Sequence, residues 1–520
     1  MKKKTRRIFS EHFVYFLSLG FLSILVLMGI AIPEPYQKVT ELLRNKITTN
    51  FGWFYLLLVT GILFFCVYLI LSPIGQIRLG EPDSRPEHGT LSWIAMMFSA
   101  GMGIGLVFYG AAEPLSHFAK MTPIAPAGSR EALADSFRFT FFHWGIHAWA
   151  VYAIIGLALA YFGFRKQEKY LLSVTLKPIL GNHSEGIIGK SIDIVTIIAT
   201  VIGVATTLGF GAAQINGGLS YLFKIPNNIV LQIIIIIIAT ALFIMSALSG
   251  LGKGVKILSN INLILAIGLL AIAIVVGPTV QIFDNMTESI GGYLQNFFRM
   301  SFRSAAFDGT KREWINTWTI FYWAWWISWS PFVGVFIARI SKGRTIREFL
   351  TVVLLIPTLL SFLWFSAFGT LSTHVQNMGI DLRSFATEEV LFATFNNYFG
   401  GTILSLISII LVVTFFVTSA DSATYVLAML SEDGDLLPTG RKKVIWGILL
   451  AAIAIVLLFS GGLTALENTL IIVALPFSLV IILIVLSLLK ELYHEKNKMG
   501  LKIKPERLPK KDQPFKSYDD

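Results

Sequence analysis

Stretches of about 20 residues with scarcely a charged side chain recur from one end of this 520-residue chain to the other. A hydrocarbon layer roughly 30 Å thick is crossed by about 20 apolar residues in helical form. Inside it every backbone amide and carbonyl must find a partner within its own segment, which leaves the helix as the spanning element. Twelve such runs can be read, at about 13–33, 52–71, 91–112, 137–162, 191–213, 230–248, 257–276, 314–340, 350–371, 402–430, 443–459 and 469–489. The expectation is an all-α polytopic membrane protein with twelve transmembrane helices.

Charge supports this. Only 14% of residues are charged, against about 25% in soluble domains. The net charge of +11 then belongs to basic loops and tails on the cytoplasmic face, not to nucleic-acid binding. Both termini, opening with MKKKTRR at 1–7, are expected in the cytoplasm, and the location is the cell membrane. The lone Cys66 forms no intrachain disulfide. Neither a phosphate-binding glycine loop nor HExxH occurs, so ATP-driven transport and zinc proteolysis lack support, and no enzyme or cofactor is expected. A channel would need a ring-forming selectivity motif, which is missing.

The eighth run holds the chemistry. FYWAWWISWSPFVGVFIARI (321–340) carries Trp323, Trp325, Trp326 and Trp329, the last three near mid-membrane, away from the interfacial belts where tryptophan is commonest. Trp325, Trp326 and Trp329 share a helix face. Stacked indole faces hold a quaternary ammonium by cation–π attraction of about 0.5–2 kcal/mol per ring. Ser330-Pro331 and Gly334 follow at once, and a kink or unwinding is expected there. The third run contains SAGMGIG (99–105), whose alternate glycines are expected to unwind it. In the fourth run, Trp144 and Tyr152 fall on one face. Thr196, Thr200, Thr206 and Thr207 of the fifth are each expected to bond back to their own helix.

The two interrupted helices each begin a block of five. Five is odd, so the blocks are inverted, and paired broken helices in inverted repeats mark a transporter's binding site. The organisation is then a basic segment (1–12), two leading helices (13–90), a first repeat (91–280), an amphipathic interfacial stretch (281–313), a second repeat (314–489) and a charged tail (490–520). The site is expected between Gly101–Gly105 and Trp325–Trp329.

SAGMGIGLVFYGAAEPL (99–115), HWGIHAWAVY (143–152), YWAWWISWSPFVGVFIARISKGRTIREF (322–349) and FFVTSADSAT (415–424) resemble signatures of the betaine/choline/carnitine transporter family. The resemblance implies a LeuT-type 5+5 inverted repeat preceded by two extra helices, often assembled as a homotrimer among membrane lipids. It implies a substrate cage of Trp144, Tyr152, Trp325, Trp326 and Trp329 with Met102 at the unwound segment. Gly105 and Thr207 complete the expected substrate-binding set. One family sodium site maps onto Ser99, Met102, Phe415, Thr418 and Ser419. A second maps onto Thr200, but its partner one turn later is Val204 here. Sodium symport of glycine betaine is the reading that follows. The alternative is proton-coupled uptake of choline or carnitine, with Asp193, Asp421, His143 or His147 as relays. Choline carriers of the family commonly place aspartate where Gly105 stands, so Gly105→Asp is expected to admit choline. The nearest acid downstream, Glu113, lies eight residues on, about 12 Å along a helix.

Overall fold

The computed structural model describes residues 12–101, 103–248 and 252–501, with side chains at 98–101 and 252–256 outside that description. Met102 lies outside the described residues. The helices used below are α1 (Phe13–Ala31), α2 (Pro33–Leu71), α3 (Thr90–Gly101), α4 (Ile104–Leu115), α5 (Arg130–Trp144), α6 (Ile146–Ala160), α7 (Ile187–Phe223), α8 (Ile229–Leu248), α9 (Gly252–Val276), α10 (Thr279–Gln295), α11 (Phe321–Arg339), α12 (Ile346–Asn377), α13 (Gly401–Ser431) and α14 (Gly440–Lys498). Among the described residues, ten helices are long and apolar enough to cross a membrane.

The third apolar run is absent from those ten because it is two helices of 12 residues each, α3 and α4. Gly103 between them is fully extended, at φ −155° and ψ −176°. The break expected from SAGMGIG is therefore present. At the other end, α14 has 59 residues, about 88 Å at 1.5 Å per residue and far more than one crossing needs. Its backbone leaves helical geometry at Gly461 and Gly462, the latter at φ +63°, a conformation that favours glycine. Two helices are thus joined there at a kink. The expected amphipathic stretch is also helical, as α10 and a short turn at Phe297–Ser301.

Burial separates an inner bundle from a rim. The most apolar windows of Arg130–Arg165, Ile187–Phe223 and Gly309–Arg339 are 94%, 89% and 94% buried, against 17–22% for α1, α8 and Ile257–Val276. Outward-facing Ile237, Ile264 and Val275 on that rim are exposed, as lipid-facing residues are. At the centre, α11 packs on α6, α7 and α14, and α12 packs on α4 and α6.

One expectation needs correction. The eighth run does not unwind at Ser330-Pro331: α11 is continuous from Phe321 to Arg339. Pro331 has no N–H for the carbonyl of Ile327, but Ser330 Oγ donates to that same oxygen at 2.7 Å. The freed carbonyl is satisfied, so nothing forces the helix open. Gly334 serves packing instead. A Cβ there would stand 2.5 Å from Ile155 Cγ2, and one on Gly156 would stand 2.5 Å from Ile337 Cγ1. Small residues on both helices let α6 and α11 approach closely. The irregularity in this run lies upstream, as a π-helical segment at Ile315–Ile320. Beyond the last expected span, 469–489, helix α14 does not stop. It continues to Lys498, where Glu495 accepts hydrogen bonds from Tyr161 and Arg165.

Candidate functional site

Beside the break between α3 and α4, a narrow cleft is lined by Gly103, Gly105, Trp144, Trp149, Tyr152, Thr207, Ser361 and, from α11, Trp325, Trp326 and Trp329. Every described residue expected to bind substrate is among these. Trp325 and Trp326 are parallel, with centroids 5.1 Å apart and planes at 10°. Trp144 stands across them, at 5.0 Å and 69° to Trp326 and at 6.1 Å and 76° to Trp325. Tyr152 meets Trp326 edge-on at 6.0 Å. The arrangement is a box with aromatic walls.

Three of the indoles are fixed by their N–H groups. Trp144 Nε1 donates to Glu113 Oε2 at 2.7 Å, Trp325 Nε1 to Thr207 Oγ1 at 3.2 Å, and Trp326 Nε1 to the carbonyl of His143 at 2.9 Å. The fourth, Trp329 Nε1, and the hydroxyl of Tyr152 are buried donors with no hydrogen-bond partner among the described residues. The cleft therefore combines π-faces with two unengaged donors. The first turn of α4 adds backbone amides that no side chain caps, at the positive end of a helix dipole.

Gly105 proves to be a contact point as well as a gap in charge. A Cβ there would lie 2.8 Å from Trp325 Cη2 and 3.0 Å from Trp144 Cη2. Only glycine lets both rings close on the backbone. An aspartate at 105 would have to displace them.

The sodium residues are less fully drawn. Met102 is outside the described residues, and the side chain of Ser99 likewise. Phe415, Thr418 and Ser419 lie on α13. Thr418 Oγ1 donates to the carbonyl of Thr414 at 3.0 Å and accepts from Asn262 Nδ2 at 3.0 Å. Asn262 Oδ1 is left buried without a partner among the described residues. Thr200 bonds back to the carbonyl of Thr196 at 2.7 Å, as expected of an intramembrane threonine. Asp193 accepts from the backbone and hydroxyl of Ser173, Asp421 from Ser246, and His147 lies 3.0 Å from Ser301 Oγ. Each candidate relay has a nearby partner of its own.

What sequence reasoning missed is the layer behind the box. Glu113 is wholly buried and meets Trp144, Tyr322, His143 and His117. An intramembrane carboxylate is a functional candidate by default. Along its own helix Glu113 lies far from Gly105, but α5 folds Trp144 onto it.

An all-helical polytopic chain with an aromatic cleft at a broken helix has the build of a secondary membrane transporter. The family model for the betaine/carnitine/choline family transporters matches residues 13–497. The chain belongs to that family; it is a multi-pass membrane transporter, not an enzyme. It is 53% identical over 502 residues, 96% of this chain and 98% of the relative, to a glycine betaine transporter, OpuD, of Bacillus subtilis. It is 42% identical over 479 residues to an ectoine/hydroxyectoine transporter of Virgibacillus pantothenticus, covering 91% and 95% of the two chains. A glycine betaine transporter of Acinetobacter baylyi is 40% identical over 495 residues, 94% of this chain and 74% of the relative.

Proposed function

We propose that this protein imports glycine betaine by sodium symport with alternating access, through twelve membrane crossings. The observation that carries the substrate is the box itself: three anchored tryptophans and Tyr152 around a cleft in which two polar donors are unengaged. Betaine is a trimethylammonium group beside a carboxylate. The rings suit the first; Trp329 Nε1–H, the Tyr152 hydroxyl and the amides opening α4 suit the second. The glycine betaine transporters among the relatives agree with this choice.

Twelve crossings follow if α3 with α4 makes one and α14, bent at Gly461–Gly462, makes two. The packing favours an inverted repeat of helices three to seven and eight to twelve. The fourth crossing packs on the eighth (α6 on α11), and the ninth on the third (α12 on α4), a pair that such a repeat would make equivalent. The basic loops favour a cytoplasmic position for both termini.

For sodium, the donor chemistry fits a hard cation: Thr418 and Ser419 hydroxyls on α13, carbonyls at the broken end of α3, and the unpartnered oxygen of Asn262. When bound, the ion would couple substrate uptake to the sodium gradient across the membrane. Thr200, back-bonded and followed by Val204, offers little for a second ion. The homotrimer is carried into this reading on the family resemblance alone, and the native mass of the purified protein tests it. Radiolabelled betaine uptake into proteoliposomes under imposed sodium or proton gradients tests the coupling. Full uptake driven by protons without sodium overturns it.

A further inference from the structure

We infer that Glu113 is the fixed counter-charge of the aromatic box, selecting a cationic head group through Trp144. This rests on the reading of the cleft as a quaternary-ammonium site. Four side chains from three elements converge on the carboxylate. Trp144 Nε1 donates to Oε2 at 2.7 Å and the Tyr322 hydroxyl donates to the same oxygen. His143 Nδ1 lies 2.7 Å from Oε1 and His117 Nε2 lies 3.2 Å from it. All five residues are buried.

The protons can be placed from the partners. Trp314 Nε1–H points at His117 Nδ1 from 3.3 Å, so that nitrogen accepts and His117 is neutral, with its proton on Nε2. That proton faces Glu113. Each of Trp144, Tyr322 and His117 therefore offers a hydrogen to the carboxylate, and His143 Nδ1 can do the same, with its Nε2 3.0 Å from Thr319 Oγ1. Three donors fixed on the carboxylate, with a fourth able to join them, favour its ionised form. The same atoms, Glu113 Oε1, His117 Nε2 and His143 Nδ1, lie within 4.8 Å of one another, as ligands of a metal would. A metal on His117 Nε2, however, would need a proton on Nδ1, and Trp314 already points its own N–H there. The cluster is built for a negative charge.

That charge reaches the box by one bond. A hydrogen bond from an indole N–H to an anion pushes electron density into the ring, and cation–π attraction grows with that density. Trp144 is the wall that stands across Trp325 and Trp326. Tyr322, on the same carboxylate, stacks on Trp326 at 5.6 Å. Glycine at 105 therefore does not leave the site without a counter-charge; the charge sits one side chain further out.

The test uses two ligands of the same shape. Glycine betaine and 3,3-dimethylbutanoate differ only in nitrogen against carbon, hence in the positive charge. Binding of each to purified full-length protein is followed by tryptophan fluorescence. The unaltered protein is expected to prefer betaine by tenfold or more. Failure of that preference overturns the quaternary-ammonium reading itself. Glu113→Gln is expected to cut the preference about tenfold by weakening betaine and sparing or improving the carbon analogue. A residue that only held the fold would weaken both alike. Glu113→Asp, which keeps the charge, is expected to retain the preference within about threefold. If Glu113→Gln does not fold, Trp144→Phe, which removes the indole N–H, is expected to lose severalfold of the preference. An unchanged ratio in the Gln or Phe variant, or its loss in the Asp variant, overturns the assignment of Glu113.

Discussion

Trp329 separates binding from folding more cleanly than any other residue of the box. Its N–H has no protein partner among the described residues, so removing the ring breaks no internal hydrogen bond. Trp329→Leu is expected to weaken betaine binding roughly 2- to 30-fold, the equivalent of about 0.5–2 kcal/mol for one ring. The melting temperature in detergent should hardly move. Unchanged affinity, measured by equilibrium binding, would remove this ring from the cage. Gly105 poses the opposite problem, because a Cβ there already meets two rings at 2.8 and 3.0 Å. Gly105→Ala is expected to cost betaine affinity severalfold by prising Trp144 and Trp325 off the backbone. Gly105→Asp sets the same displacement against a new charge, so any choline uptake by that variant should come with weakened betaine uptake. Competition between labelled betaine and choline reads both effects.

At the scale of helices, α11 shows how one side chain overrides a breaker. Ser330 Oγ takes the place of the N–H that Pro331 lacks, on the carbonyl of Ile327. Ser330→Ala is expected to lower stability by about 1 kcal/mol, the size of one hydrogen bond to a buried carbonyl. In a Pro331→Ala background, where the backbone N–H returns, the same change should cost almost nothing. Thermal unfolding of the four proteins of that cycle decides it; equal losses in both backgrounds would show that the serine acts elsewhere. The contact of α9 with α13 offers a second test. Asn262→Leu removes the unpartnered oxygen beside Thr418, and Thr418→Ala removes its hydroxyl. Each is expected to raise the half-saturating sodium concentration severalfold. Sodium-dependent uptake curves identical to those of the unaltered protein would exclude both side chains from the ion site.

The whole molecule is tied together at its last turns. Arg165 donates to Glu495 and to the carbonyl of Gly80 at 2.8 Å, while Lys166 pairs with Glu491 at 2.8 Å. The end of α14 is thus fastened to the loops that follow α2 and α6. A truncation after Lys490 would remove both acids and destabilise the fold. A truncation after Leu501 keeps them. The longer protein is expected to retain its melting temperature while the shorter one falls by several degrees; equal temperatures would mean that these ion pairs contribute little.

Much of this was legible in the chain. Apolar runs near 20 residues long dictate helices, because lipid leaves a backbone no other partner. The glycines of SAGMGIG locate a break, because glycine is costly in a helix wherever it sits. Trp325, Trp326 and Trp329 share a face because helical spacing alone puts them there. These are local constraints, and they hold whatever packs alongside. Other features depended on neighbours from elsewhere. Pro331 reads as a break until Ser330 is seen on its orphan carbonyl. Gly334 reads as a hinge until Ile155 is seen against it. Glu113 stands 31 positions from Trp144 and 209 from Tyr322, and it becomes part of the site only when α5 and α11 fold across it. Distance along a chain says nothing of such meetings; side-chain packing between helices decides them.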